Sequence, residues 1–496
     1  MSISMTNLSD TDDVITRAKA SADGGKLDEA ISLVQSALRN RPQDGKLWHM
    51  LGTLHRTDQD STAALAALEK AVSYQPQNPV LHHAIARVTM ESGLPAVEKF
   101  DVARRFAPND GSIIMGRCAA QMALGKFDDA ISDLELVLAG NPLWLEGHEL
   151  LSGARWSCGE KEDFTKSLAA ALKIHAQNGS LWAKLLDSLL KADRFSEAAE
   201  IVEQARNALG DSRGLTMYDA ICASELGKTE KADQLFAALA PIAEIELAAR
   251  QMRHLIRTGQ IETAARIGES FAHHPEANQI WPYLSLAWRA IGDARWQWLD
   301  GQDGLVQIYD LDDQIDVPEL AACLRTIHVA KADMVGQSVR GGTQTDGPLF
   351  ARIEPEIRKL KSVIESTVKG HVDALPPLDP THPVLRHRPD AIRFSGSWSV
   401  RLTGAGFHTS HLHPMGWFSS AFYVHVPDKT DMGPPPAGWL ELGAPPPELN
   451  LDLAAFRHVE PKPGRLVIFP STMWHGTIPF EEGERLSVAF DVATPL

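Results

Sequence analysis

Leu27-Asp-Glu-Ala-Ile-Ser-Leu-Val-Gln-Ser-Ala-Leu-Arg-Asn-Arg-Pro42 places Ala30, Val34 and Ala37 at helical spacing and closes on Pro42. One period of 34 residues later the same order returns as Ala64, Leu68, Ala71 and Pro76. After a two-residue shortening it reads Ala96, Phe100, Ala103 and Pro108, then Ala130, Leu134, Val137 and Pro142. Phe164, Leu168 and Ala171 follow, then Ala198, Val202 and Ala205. Ala232 and Phe236 keep the phase, with Leu239 where a small residue stood before. Small alanines let two antiparallel helices approach closely, while Leu, Val and Phe fill the groove between successive hairpins. Such a hairpin cannot bury its apolar face alone, so its neighbours stack on it. Pro42, Pro76, Pro108 and Pro142 end the second helices of their units, because proline cannot continue the hydrogen-bond ladder.

The first helices match as well. Trp48-His-Met-Leu51-Gly52 is a W-x2-L-G element, and Trp182 and Trp281 head similar segments. Residues 11–292 thus resemble the tetratricopeptide repeat family. The resemblance implies an all-α superhelix whose concave surface receives a protein or peptide. The alternative is an array that serves only dimerisation or spacing. Its Trp48, His82 and His83 read as packing or solvated-face residues.

Composition bounds the rest. A chain of 496 residues exceeds one core and predicts two or three domains. The acidic N-terminus, with Asp10, Asp12 and Asp13, does not read as a signal peptide, and residues 1–10 are expected to be disordered. Cys118, Cys158, Cys222 and Cys323 form no CxxC pair, as expected of reduced thiols in a cytoplasmic protein. A net charge of −16 disfavours nucleic acid and anionic membrane as partners. The sequence leaves the oligomeric state open.

Beyond the array, residues 293–310 read as a linker and residues 311–496 as a second domain. Helices are expected over 317–327 and 354–368 from apolar residues three and four apart. The glycine-rich Gly336-Gln-Ser-Val-Arg-Gly-Gly-Thr-Gln-Thr345 lacks the GK[ST] ending of a phosphate loop. After a proline-rich stretch at 375–383 come short strands: 392–394, 398–402, 421–426, 439–442, 465–469 and 486–490. Several short strands between turn signals predict a barrel or sandwich. Among such folds the expectation is a double-stranded β-helix (jelly roll).

Two elements in this region carry chemistry, His408-Thr-Ser-His411-Leu-His413-Pro414 and Phe469-Pro-Ser-Thr-Met-Trp474-His475 followed by Arg485-Leu-Ser487. In a strand, residues i and i+2 share a face, so His411 and His413 can converge on one ion. His475 would complete a triangular set, leaving positions open as in non-haem Fe(II) oxygenases. Arg485 offers a planar, bidentate grip on a carboxylate, and Ser487 adds a hydroxyl on the same face.

With the Ser420-Ala-Phe-Tyr-Val-His-Val-Pro427 strand and the Gly464-Arg-Leu-Val-Ile-Phe-Pro470 lead-in, this set resembles the 2-oxoglutarate/Fe(II) dioxygenase superfamily. The likeness is to a bacterial branch that often follows tetratricopeptide repeats. It implies Fe(II) at His411 and His475, with the distal carboxylate of 2-oxoglutarate on Arg485, assisted by Ser487 and Tyr423. It also implies O2 as second cosubstrate, and hydroxylation of a substrate C–H bond with release of succinate and CO2. His413 departs from the pattern, since most of the superfamily has Asp or Glu there. A three-His site of His411, His413 and His475, a two-His site with His413 behind it, and a lapsed enzyme all remain open. So do three functions: hydroxylation of a recruited protein or peptide, oxidation of a small molecule, and a non-enzymatic scaffold with a degenerate barrel.

Overall fold

The computed structural model describes residues 6–495, with side chains from residue 11 onward. Eight antiparallel helix pairs run from Thr6–Asp23 with Leu27–Asn40 to Ile245–Arg257 with Ile261–Phe271. Of the stretch expected to be disordered, residues 1–5 lie outside the described residues, and the helix Thr6–Asp23 begins directly after them. The second helices stop at Asn40, Tyr74, Phe106 and Gly140, two residues before the four prolines. Asp44, Asp60, Asn78, Asp110 and Asn178 cap first turns by accepting backbone N–H bonds. Ala30, Val34, Ala64, Leu68, Phe100, Ala130, Leu134 and Leu168 are all at most 1% exposed, so the repeat phase is the packing phase. A Cβ on Gly52 would lie 2.6 Å from Leu68 Cγ, which accounts for glycine at that helix crossing.

Nine strands follow: β1 (Gln307–Asp310), β2 (Val339–Gln344), β3 (Phe394–His408), β4 (Gly416–His425), β5 (Leu440–Leu442), β6 (Arg457–Val459), β7 (Arg465–Pro470), β8 (His475–Thr477) and β9 (Glu484–Ala493). They form a six-stranded sheet of order β1-β7-β4-β9-β3-β2 and a three-stranded sheet of order β6-β5-β8, antiparallel throughout. The two expected helices are present as Val317–Ile327 and Pro355–Asp373. They cover one face of the large sheet, where Phe418, Phe422, Leu486, Val488 and Phe490 point into a common core. The opposite face packs Tyr423, Val467 and Phe469 against Leu440 and Leu442 of the small sheet. Period-two alternation along β9 therefore sends Arg485, Ser487 and Asp491 to the face away from the helices.

The segment 293–310 is more than a connector. It holds the short helix Arg295–Leu299 and ends in β1, which pairs with β7 and completes the large sheet. The array also runs along the sheet domain, touching it at the turns inside successive hairpins. Gln59 and Ser61 donate side-chain bonds to Phe394 O (3.3 Å) and Ala351 O (2.6 Å). Ser92 O accepts from Ile353 N at 3.2 Å, and Ser157 O from Lys331 N at 3.0 Å. Arg257 donates to Glu448 O at 2.7 Å, and Trp474 Nε1 to Pro282 O at 3.0 Å. Leu449 and Trp474 are buried in the same apolar cluster as the helices Ile245–Arg257 and Trp281–Ala290. Among the described residues no helix is long and apolar enough to cross a membrane.

Candidate functional site

His411 and His413 sit in the loop between β3 and β4, and His475 opens β8. Strand alternation is not what brings the first two together, because residues 409–415 form no strand. Instead His411 and His475 exchange both backbone bonds, N to O at 2.9 and 3.0 Å, as an isolated antiparallel bridge. His413 N donates to Ser471 O at 2.9 Å, tying the loop to the end of β7.

One ring nitrogen from each of the three histidines lies within 4.8 Å of the other two. On the outer side every Nδ1 is engaged: His411 with Thr409 O at 2.8 Å, His475 with Met473 O at 2.9 Å, and His413 with Asp491 Oδ1 at 2.7 Å. Carbonyl and carboxylate oxygens accept, so this network places an N–H on each Nδ1 and makes Nε2 the nitrogen each ring can offer to a metal. Burial, then the neighbouring His411 and His413, push His475 well below the usual histidine range. His411 is lowered to about 3, again by burial first and by His413 second. Neutral, oriented imidazoles with inward lone pairs are what a transition metal needs.

Arg485 is 2% exposed. It donates to Gly438 O at 3.0 Å and Thr477 Oγ1 at 3.4 Å, and its guanidinium lies 4.9 Å over the Tyr423 ring. Its Nε and the Tyr423 hydroxyl are both buried without a hydrogen-bond partner, and among the described residues no carboxylate pairs with it. A buried guanidinium lacking an anion is costly, and burial lowers its pKa accordingly. Orphaned donors of this kind fit the carboxylate of a small diacid. Arg485 and Ser487 line the same narrow pocket as the three histidines, whereas Tyr423 stacks behind the guanidinium.

Further residues around the site were not singled out from the sequence. Ser338 Oγ, just ahead of β2, lies 3.1 Å from both His411 Nε2 and His408 Nδ1, so a metal on His411 competes with this hydroxyl. Ser419 Oγ donates to Asp491 Oδ1 at 2.6 Å. Asp491 itself had a readable signal, since it lies six residues past Arg485 and so shares its face of β9. Gln337, Gln344 and Trp398 form a wall shared with a second cavity of about 480 Å³. That cavity lies between the sheet domain and the array, whose Arg56, Arg87 and Glu91 line one side of it.

Comparison with known proteins agrees with both halves. Residues 15–79 match the tetratricopeptide repeat family, and residues 396–491 match the family described as "Putative 2OG-Fe(II) oxygenase". "Protein STIP1 homolog" of Dictyostelium discoideum is 32% identical over 93 residues, which are 19% of this chain and 16% of that protein. The chain thus spans about a sixth of that relative's length. Among solved structures, a tetratricopeptide repeat protein from Parabacteroides merdae ATCC 43184 aligns with 48% of this chain and 95% of its own, at 17% identity and TM-score 0.30. MamA aligns with 32% of this chain and 92% of its own, at 16% identity and TM-score 0.28. At such scores the likeness carries no weight, and the fold rests on the geometry above.

Proposed function

We propose that this chain is a 2-oxoglutarate- and Fe(II)-dependent oxygenase that hydroxylates a protein or peptide, and that its two sheets form a double-stranded β-helix. One observation carries the reading. Three histidines with Nδ1–H groups tied outward face one point, beside a buried arginine with no anion of its own. His411, His413 and His475 would hold Fe(II), and Arg485 with Ser487 would hold the cosubstrate carboxylate. The bound metal, with 2-oxoglutarate and O2, would supply C–H hydroxylation and release succinate and CO2. The protein's own part is orientation and exclusion of water. The carbonyls of Thr409 and Met473 fix two imidazole rings, Asp491 fixes the third, and Phe469 shields His475 at a ring separation of 4.7 Å.

A polypeptide is favoured over a metabolite because the cavity that shares a wall with the histidine pocket is lined jointly by the array and the sheet domain. Its floor includes residues 395–398 of β3, which extend beyond the part of that strand paired with β2. Such an edge offers main-chain groups to an extended chain. The enzyme reading is tested by anaerobic titration with Fe(II) and 2-oxoglutarate, followed by oxygen. A charge-transfer absorption and succinate are expected, both lost in His475→Ala; their absence from the wild type would sink the oxygenase. For the substrate, peptides gaining one oxygen are sought in cells carrying the wild type but not H475A. R87E, on the array wall, should lose those products while keeping Fe(II) and 2-oxoglutarate binding.

A further inference from the structure

The third histidine stands where most of the superfamily places a carboxylate, yet a carboxylate lies one hydrogen bond behind it. Asp491 Oδ1 is 2.7 Å from His413 Nδ1, and both side chains are mostly buried, at 13% and 18% exposure. Among the described residues no lysine or arginine pairs with Asp491; besides His413, its side-chain partner is Ser419 Oγ at 2.6 Å. Ser419 is held in turn 2.9 Å from Ser471 Oγ, on the residue whose carbonyl anchors the His413 backbone. This carboxylate is therefore fixed from two sides while lacking a cation of its own. Buried carboxylates without a positive partner are costly, so the arrangement makes sense when the far nitrogen of His413 meets positive charge.

We propose that Asp491 is a positioning residue that returns, through His413, the negative charge the metal would otherwise draw from a directly bound carboxylate. This rests on the oxygenase reading above. Two histidines plus one carboxylate carry one negative charge; three histidines backed by Asp491 carry the same charge, moved outward by the width of an imidazole. The hydrogen bond also fixes the ring plane and makes the imidazole a stronger donor. His411 and His475 have neutral carbonyls in the equivalent places, so His413 alone is backed by an anion.

The test uses the metal-free full chain and Co(II) as probe, since Co(II) reports its ligand field by absorption and needs no turnover. Wild type, D491N, D491L, H413D and the double variant H413D/D491N are titrated. D491N keeps an acceptor of the same shape and isolates the charge; D491L removes the bond as well. We expect Co(II) affinity to fall about 10-fold or more in D491N and up to about 100-fold in D491L. H413D should also bind weakly, because it sets two carboxylates against each other. The double variant should recover most of the loss, with a ligand-field spectrum changed from that of the wild type. Wild-type affinity in D491N and D491L, or a double variant no better than H413D, overturns the proposal while leaving the oxygenase reading intact. A wild type that binds no Co(II) removes both.

Discussion

Arg485→Met is expected to leave the cosubstrate-free protein about as stable as the wild type and unable to bind 2-oxoglutarate. In the free protein the guanidinium is 2% exposed and has only Gly438 O, a long contact to Thr477 Oγ1 and the Tyr423 ring around it. Replacing buried ionic groups by apolar ones of similar volume gains about 1–4 kcal/mol. Against this stand one sound hydrogen bond, worth about 1 kcal/mol, and a cation–π contact of about 1 kcal/mol. The balance lies between about −1 and +2 kcal/mol, or about −4 to +8 °C in melting temperature for a domain of this size. Removing one partner of a buried charge pair costs about 2–5 kcal/mol of binding, so affinity for 2-oxoglutarate should fall at least about 30-fold. The assay is a thermal melt with Co(II) present, with and without 2-oxoglutarate. At 100 times its dissociation constant the ligand should stabilise the wild type by about 2.7 kcal/mol, and R485M hardly at all. An R485M protein that melts far below the wild type and still shifts upward with 2-oxoglutarate would refute the reasoning, because Arg485 would then be structural.

Other outcomes follow from the same geometry. A fragment starting at Asp303 should fail to give a folded, monomeric domain, because Trp474 and Leu449 lose their packing against the helices Ile245–Arg257 and Trp281–Ala290; circular dichroism and gel filtration check this, and a well-folded monomer that binds Co(II) like the full chain would contradict it. His371 is buried with an unpartnered Nε2, and burial pushes its pKa down from 6.5 to about 4. Because the unfolded chain takes up this proton first, stability is lost as pH falls below 6.5 and the loss is complete below 4. Urea unfolding at pH 7 and 5 should thus differ by about 2 kcal/mol less in H371F than in the wild type; equal differences would show that His371 does not carry this part of the acid sensitivity.

The repeat array was legible because its signal is local and periodic. A helix shows its buried face every three to four residues, and alanines such as Ala30, Ala64 and Ala130 recur because two backbones cross there. Within the sheet domain the longer apolar strands were readable, whereas β1, β2, β6 and β8 were not. These four are short or polar, and they are strands only because a distant partner offers hydrogen bonds: Gln307 meets Ile468 and Val339 meets His408. The site divides in the same way. Residue type and spacing marked His411, His413, His475, Arg485 and Ser487, since metal ligation and carboxylate binding need those side chains. Sequence wrongly gave strand alternation as the reason His411 and His413 meet; the backbone bridge from His411 to His475 is the cause, a pairing across more than sixty residues. The face of β9 that Asp491 shares with Arg485 was readable, but its bond to His413, and the array wall of Arg56, Arg87 and Glu91 beside the histidine pocket, came from tertiary structure alone. Local chemistry names the side chains a site can use. Which of them stand behind the ligands, and which part of the array lines the neighbouring cavity, is settled by contacts between segments far apart in the chain.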